Sequence, residues 1–252
     1  MPDLLPIVRF LGATRLCEGL DPRSLATLAR AAGYREIEPG EFMFRQGLAA
    51  NTAYLLRFGH ARLVQGTSDG APAVVRFVCP GDLFGSAALV PDQSYPVSAV
   101  SARWCQLLAW KGTDMTDLMQ SCPRLALNVL RELNAETQEI CVRYRALATQ
   151  GVEQRLAALL VRLAATAGRQ THAGLTIDFP LSRRDLAEMT GTTLYTVSRI
   201  LSAWARDGLV DTGRRWVAIL RPRRLAATAA QAPRKAVRRQ RSEPTPSRAV
   251  AA

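Results

Sequence analysis

The chain is predicted to be α+β: an N-terminal β-roll, one long helix, and a C-terminal winged helix-turn-helix. Three observations predict this. Short apolar runs between glycine turns fill residues 34–110. A sustained helical period fills 123–150. A helix–short turn–helix pattern with its own caps fills 181–208. The 252 residues suit one large domain or two smaller ones.

Residues 1–20 read as an N-terminal arm, and a β-roll is expected over 21–122. Asp21-Pro22 pairs an N-cap with a first-turn proline, so a helix should run to about Ala32, with Gly33 as its stop. Strands are then expected at YREI, EFMF, AYLLRF, ARLVQ, AVVRFV and CQLLAW, between PG, QG, FG, SDG, PGD and PDQ turns. A two-sheet sandwich of another kind has the same pattern. His60, after Phe58-Gly59, reads as an exposed turn residue.

From 123 to 150 two series of residues recur every seventh position. One is Leu130, Thr137 and Tyr144; the other is Ala126, Leu133, Ile140 and Leu147. They interleave like the apolar positions of a heptad. A helix of about 27 residues spans about 40 Å, long for a globular domain. The spacing favours a parallel dimer seam over packing on the helix's own domain. Gly151 is a possible hinge, and Val152 to Ala167 reads as a further amphipathic helix.

Residues 151–222 are expected to form the winged helix-turn-helix. Ser182 followed by Asp185 has capping-box spacing, and that helix should run to about Met189. Gly191 is the turn glycine. Thr192 can cap a second helix, which Gly208 would end. On that helix Val197, Ile200, Leu201 and Trp204 share one face. Tyr195, Ser198, Arg199 and Ser202 lie opposite. A polar exposed face on the second helix is the pattern of a major-groove reader. LVDTGRRWVAIL then suggests a wing hairpin, with Arg214 and Arg215 at its tip suited to phosphate. Contacts to double-stranded DNA are expected from Ser182, Arg183, Thr192, Thr193, Tyr195, Thr196, Ser198, Arg199, Ser202, Arg214 and Arg215.

The net charge of +12 is unevenly spread. From Arg221 onward nine Arg and Lys face only Glu243, so two thirds of the net charge lies there. Residues 223–252 carry few large apolar side chains and are expected to form a disordered basic tail, suited to nonspecific phosphate contact. No run of about 18 apolar residues suggests a membrane span. The N-terminus lacks the order of a signal peptide, so a cytoplasmic, membrane-free protein is expected. The five cysteines form no CxxC pair, and two histidines are thin material for a metalloenzyme. No metal site or catalytic residue is assigned. The competing class, an enzyme or ligand-storage module on the β-roll, lacks a polar catalytic cluster.

Four motifs carry a resemblance over about Cys17 to Leu220: Pro39-Gly40-Glu41 with Gln46-Gly47, Pro80-Gly81-Asp82-Leu83-Phe84-Gly85, Val152-Glu153-Gln154-Arg155-Leu156, and Thr196-Val197-Ser198-Arg199. Together they make the chain resemble the cyclic-AMP-receptor/fumarate-nitrate-reduction (CRP/FNR) superfamily of bacterial transcription regulators. The resemblance implies a cyclic-nucleotide-binding-like jelly roll and a homodimer on palindromic promoter sites, with RNA polymerase as a partner. By position it places an effector pocket at Gly85, Ser86, Ala87, Ala88, Leu89, Ser98 and Ala99, with Thr137 and Tyr144 sensing its occupancy. It also assigns Arg199 to guanine.

Two departures stand out. Ser86 and Val97 occupy places where cyclic-nucleotide binders carry Glu and Arg, so a cyclic phosphate lacks its bidentate partner. Tyr195 stands where many members carry a Glu that accepts from cytosine. Residues 192–199 look similar to the reading helix of nitrogen-oxide-responsive members, which raises haem as a cofactor. Its ligands would come from His60, His172, the Met1-Pro2 amine, or the Cys79-Pro80 and Cys122-Pro123 thiolates. The two Cys-Pro pairs are equally explained by a turn and a helix start.

Overall fold

The computed structural model describes residues 4–66 and 72–231. The chain is α+β. Two helices come first, α1 (Leu4–Gly12) and α2 (Pro22–Ala31), with a 3-10 turn at Arg15–Cys17 between them. Eight strands follow: β1 (Gly33–Ile37), β2 (Phe42–Phe44), β3 (Thr52–Phe58), β4 (Ala61–Gly66), β5 (Pro72–Val78), β6 (Leu83–Phe84), β7 (Ser98–Ser101) and β8 (Cys105–Lys111). Next come α3 (Gly112–Ser121), the long α4 (Pro123–Thr149) and α5 (Val152–Ala167). The C-terminal part holds β9 (Gly168–Thr171), β10 (Gly174–Ile177), α6 (Arg183–Thr190), α7 (Leu194–Arg206), β11 (Val210–Thr212), β12 (Val217–Ile219) and α8 (Pro222–Ala230).

The roll is two four-stranded sheets, β1-β8-β3-β6 and β2-β7-β4-β5. Its inner core holds Phe44, Tyr54, Leu56, Val78, Phe84 and Leu107. The outer face of the first sheet is covered by α1 to α4, through Ile7, Leu11, Leu28, Met115 and Leu125 packed on Leu55, Leu108 and Trp110. Strand β3 is therefore buried on both faces, which explains its unbroken apolar run. Trp110 satisfies its indole N–H on the Leu28 carbonyl at 3.0 Å.

The outer face of the second sheet is covered by the C-terminal half. Val64, Val74, Phe77 and Val100 join one core with Leu156, Leu160, Phe179, Leu186, Val197 and Trp204. Phe179 centres it, 4.3 Å from the Phe77 ring and 5.0 Å from the His60 ring.

Several expectations need correction. The N-terminal arm carries no secondary-structure expectation; it holds a helix and a turn that bury Ile7, Leu11, Leu16 and Cys17. Helix α2 stops at Ala31, and Gly33 begins a strand instead of capping the helix. The SDG turn at residues 68–70 lies outside the described residues. The β9–β10 hairpin and α3 had no clear signal. The first nine residues of the region assigned to the basic tail are largely helical: α8 packs on α5 through the fully buried Leu225. Residues 232–252 lie outside the described ones.

His60 is buried, not an exposed turn residue; it is only 8% exposed. The reason is the Phe179 ring that covers it. Its Nδ1 has no hydrogen-bond partner. Burial lowers its pKa to about 4, the Arg103 charge adds to that, and Asp178 opposes it. A neutral folded-state His60 contributes stability that is fully present above the unfolded value near 6.5. As pH falls, the unfolded chain takes up the proton first, so this stability is lost between about 6.5 and 4. Denaturant midpoints measured at pH 7.5 and 5 should fall more for the native chain than for His60→Phe. Equal falls would show that His60 does not contribute.

Candidate nucleic-acid interface and effector cavity

The helix-turn-helix is built by local caps. Ser182 is the N-cap of α6: its Oγ accepts from Asp185 N, while the Asp185 carboxylate accepts from the Ser182 N–H at 2.8 Å. Gly191 ends α6 at φ 62°, a left-handed position where a side chain is strained and where a Cβ would sit 2.9 Å from Leu147. Thr193, rather than Thr192, is the N-cap of α7; its Oγ1 accepts from Thr196 N. The apolar face of α7 buries Val197, Ile200, Leu201 and Trp204, as its spacing predicts.

Three consecutive polar side chains fix this unit to the start of α5: Gln154 is buried, Arg155 half-buried and Glu153 exposed. Glu153 accepts from the Trp204 indole at 3.0 Å. Gln154 accepts from the Gly151 N–H and donates to the Gln231 carbonyl at the end of α8. Arg155 donates to the carbonyls of Thr190 and Gln150, at 2.9 and 2.7 Å. The Val152–Leu156 motif thus ties α5 to α6, α7, the end of α8 and the Gln150-Gly151 junction.

The outward face of α7 carries Tyr195, Arg199 and Ser202, all exposed, with Ser198 half-buried beside them. Arg206 continues that face and was not expected from sequence. Ser182, Arg183, Thr192 and Thr196 are half-buried, and Thr193 is exposed. The wing is real: β11 pairs with β12, and β12 pairs with β10, giving the sheet β11-β12-β10-β9. Arg214 and Arg215 are exposed in its connecting turn, where the Arg215 carbonyl accepts from Leu181 N. Tyr195, Arg199, Ser202, Arg206, Arg214 and Arg215 make a polar, cationic surface.

The second site is a cavity of about 200 Å³ between the roll and α4. Phe44, Leu63, Val75, Phe84, Tyr95, Pro96 and Val97 supply an apolar lining. The Phe44 ring stacks on Tyr95 with centroids 4.0 Å apart. From α4 come Glu136, Glu139, Ile140 and Arg143. Of the expected pocket residues only Gly85 and Ser86 line it. Ala88 and Ala99 are buried in the roll core, Ala87 packs beside them, and Leu89 packs on the other core. Ser98 Oγ accepts from Gln46 N. Thr137 and Tyr144 do not line it: each is exposed one residue on from a lining residue, a step that turns a helix by about 100°. Two of the lining residues on α4, Glu136 and Arg143, are one position away from those expected.

Two guanidinium groups border the cavity, but both are engaged. Arg76 pairs with Glu136 and with Asp82 at 3.2 Å. Arg143 donates to the Val75 carbonyl and lies 4.0 Å from Glu139.

The haem ligands suggested by resemblance do not converge. No histidine or cysteine lines this cavity. His172 is exposed in the β9–β10 turn, and Met1-Pro2 lies outside the described residues. Burial pushes the Cys79 thiol up to about 12 and the Cys17 thiol up to about 11. Neither is a thiolate at neutral pH. Cys122 is the residue before α4, as a helix start requires.

Of the expected seam residues, Leu130, Thr137, Ile140, Tyr144 and Leu147 are exposed, while Ala126 is half-buried. Leu133 packs on the core beneath α1 to α4. A straighter exposed stripe runs at alternating spacings of three and four: Leu127, Leu130, Asn134, Thr137, Cys141, Tyr144 and Ala148.

Comparison with known proteins gives a consistent picture. The pattern described as a Crp-like helix-turn-helix domain matches residues 154–228. That of a cyclic nucleotide-binding domain matches 34–122. The chain is 31% identical to the cyclic AMP receptor protein of Thermus thermophilus, over 79% of this chain and 88% of that one. It is 29% identical to the transcriptional activator protein FnrL of Cereibacter sphaeroides, over 77% and 79%. Among solved structures it resembles a CRP-family transcriptional regulator from Thermus thermophilus, with TM-score 0.67, 26% identity and coverage of 80% of this chain and 100% of that one. FixK2 from Bradyrhizobium japonicum shares the fold, with TM-score 0.69, 23% identity and coverage of 80% and 98%.

Proposed function

The chain belongs to the CRP/FNR family of DNA-binding transcription regulators, and from that premise we propose that it acts as a homodimer on two-fold-symmetric promoter sites, controlled by an uncharged, largely apolar effector. Family members are regulators and not enzymes, and among the described residues no helix is long and apolar enough to cross a membrane. RNA polymerase is the expected partner at the promoter, and the cytoplasm the expected compartment.

One observation carries the regulatory reading: α4 has two working faces. Its inner face brings Glu136, Glu139, Ile140 and Arg143 to the cavity. Its outer face leaves the Leu127-to-Ala148 stripe exposed, with Tyr144 at 76%. A heptad stripe of that kind suits a second copy of the same helix, and a lone Asn134 at a core position specifies dimer register. Two copies would set their α7 helices about 34 Å apart, on successive major grooves.

The effector class follows from the cavity. Its free surface is aromatic and aliphatic, and its cations are already held by carboxylates and a carbonyl. A cyclic phosphate would have to break Arg76–Glu136 to gain a partner. A neutral ring that stacks on Phe44 and Tyr95 would not.

The route from cavity to reading head passes through β5. Val75 lines the cavity. Its neighbour Val74 donates its N–H to Glu188 of α6 at 2.9 Å. A ligand that favours one placement of β5 and α4 shifts the population of dimers with correctly spaced reading helices. The basic residues of 232–252 add nonspecific phosphate affinity.

Three outcomes test this. Leu130→Glu should convert the dimer to monomer in analytical ultracentrifugation while leaving the folded monomer's circular dichroism intact; an unchanged dimer would place the seam elsewhere. Arg199→Ala should lose about 1–3 kcal/mol of specific affinity and relax one base pair of the consensus; equal weakening on every sequence would make Arg199 a phosphate contact only. In a thermal-shift panel, small uncharged aromatic compounds should raise the melting temperature, by about 2.7 kcal/mol of stabilisation at a hundredfold excess over Kd. A rise with cyclic AMP and none with the aromatics would reverse the effector assignment.

A further inference from the structure

Helix α7 contains no Asp, Glu, Asn or Gln anywhere in its thirteen residues. That absence limits which base edges it can read. Bidentate recognition of adenine needs a carboxamide, and the strong acceptor for the cytosine amino group is a carboxylate. Arginine supplies the guanine contact, and thymine is distinguished by its C5-methyl group, which needs an apolar partner.

The leading turn of α7 supplies that partner. Leu194 is 52% exposed and Tyr195 is 78% exposed, adjacent large apolar side chains. They sit at the N-terminal end of the helix, where a recognition helix meets base edges. Tyr195 lies one turn before Arg199, and both are on the outward face. Four residues advance the helix by about 6 Å, less than two base-pair steps of about 3.4 Å.

We propose that Tyr195 is a specificity-determining residue that reads a thymine methyl with its ring, beside a guanine held by Arg199. The proposal rests on α7 being the DNA-reading helix, and it fixes the directly read core of each half-site. That core is a thymine within two base pairs of a guanine on the contacted strand, with no adenine or cytosine edge read bidentately by α7. Ser198 and Ser202 accept or donate to any base and add little discrimination.

The test uses the full chain. A consensus is selected from a random duplex pool. Each conserved thymine of the half-site is then replaced by uracil, which removes only the methyl. One position should weaken native binding about fourfold, the equilibrium weight of one buried methyl group. Tyr195→Phe should keep both the affinity and the uracil penalty, because the ring is retained. Tyr195→Ala should bind more weakly and lose the penalty; Tyr195 is exposed, so the fold is kept, which circular dichroism checks. The proposal is overturned if no thymine shows the penalty, or if Tyr195→Ala preserves it. It is also overturned if Tyr195→Phe weakens binding equally on all sequences, because the phenol would then be a phosphate contact. Failure of the pool to yield any consensus would instead sink the reading of α7 as a DNA reader, and this proposal with it.

Discussion

The fold depends on covering the outer face of the second β-sheet. Val64, Val74, Phe77 and Val100 point away from the roll's own core. Left open, they would form an apolar patch beside β5, which is a sheet edge. The C-terminal half closes both problems. Phe179 and α5 cover the apolar face, Glu188 takes the Val74 N–H, and Arg143 takes the Val75 carbonyl. The edge of a sensor sheet is therefore completed by side chains from the reading head and from the long helix.

That arrangement is held by groups that are costly to move. Asp185 is buried, caps α6, and lies 3.5 Å from Arg62 on β4. A paired buried carboxylate contributes little net stability, yet removing one partner leaves a charge without compensation. His60 adds a second condition, because the same interface tolerates only its neutral form near pH 7. The docking surface is thus polar where it fixes register and apolar where it is stabilised by area, a division seen also at Arg155 and Trp204 beside the start of α5. Burial holds the Arg155 pKa below the usual guanidinium value, so its two carbonyl bonds offset a real desolvation cost.

What was legible in the sequence was whatever is decided locally. The Ser182–Asp185 cap, the Gly191 turn, the buried face of α7 and the bounds of α4 follow from spacing within a few residues, and each stands in the structure. What escaped was decided at a distance. His60 follows a glycine turn, as an exposed residue would, and only a ring more than a hundred residues away buries it. Residues 226–230 carry no large apolar side chain that would order them, but Leu225 and the Gln154–Gln231 bond anchor them. On α4 the period was plain and the phase was not. A shift of one residue separates Thr137 and Tyr144, which are exposed, from Glu136 and Arg143 at the cavity. Periodicity cannot fix phase when both faces are partly apolar, as here, with Ile140 at the cavity and Leu127 and Leu130 exposed.

The two-faced helix also sets what an effector must do. A ligand shifts an equilibrium only by its differential affinity for the two states. Filling a cavity that is identical in both would change nothing. The cavity wall, however, includes Val75 of β5 and Arg143 of α4, and these two groups are bonded to each other. Phe44 and Tyr95 line the same cavity as the two ends of that bond. Any placement that moves Arg143 frees a β5 edge carbonyl, and any placement that moves β5 disturbs the Val74–Glu188 bond one residue away. On the proposed reading, occupancy, helix seam and reading head are coupled through two adjacent residues, Val74 and Val75. Such a chain of contacts is short enough to be tested bond by bond, with Arg143 and Glu188 as its two separable ends.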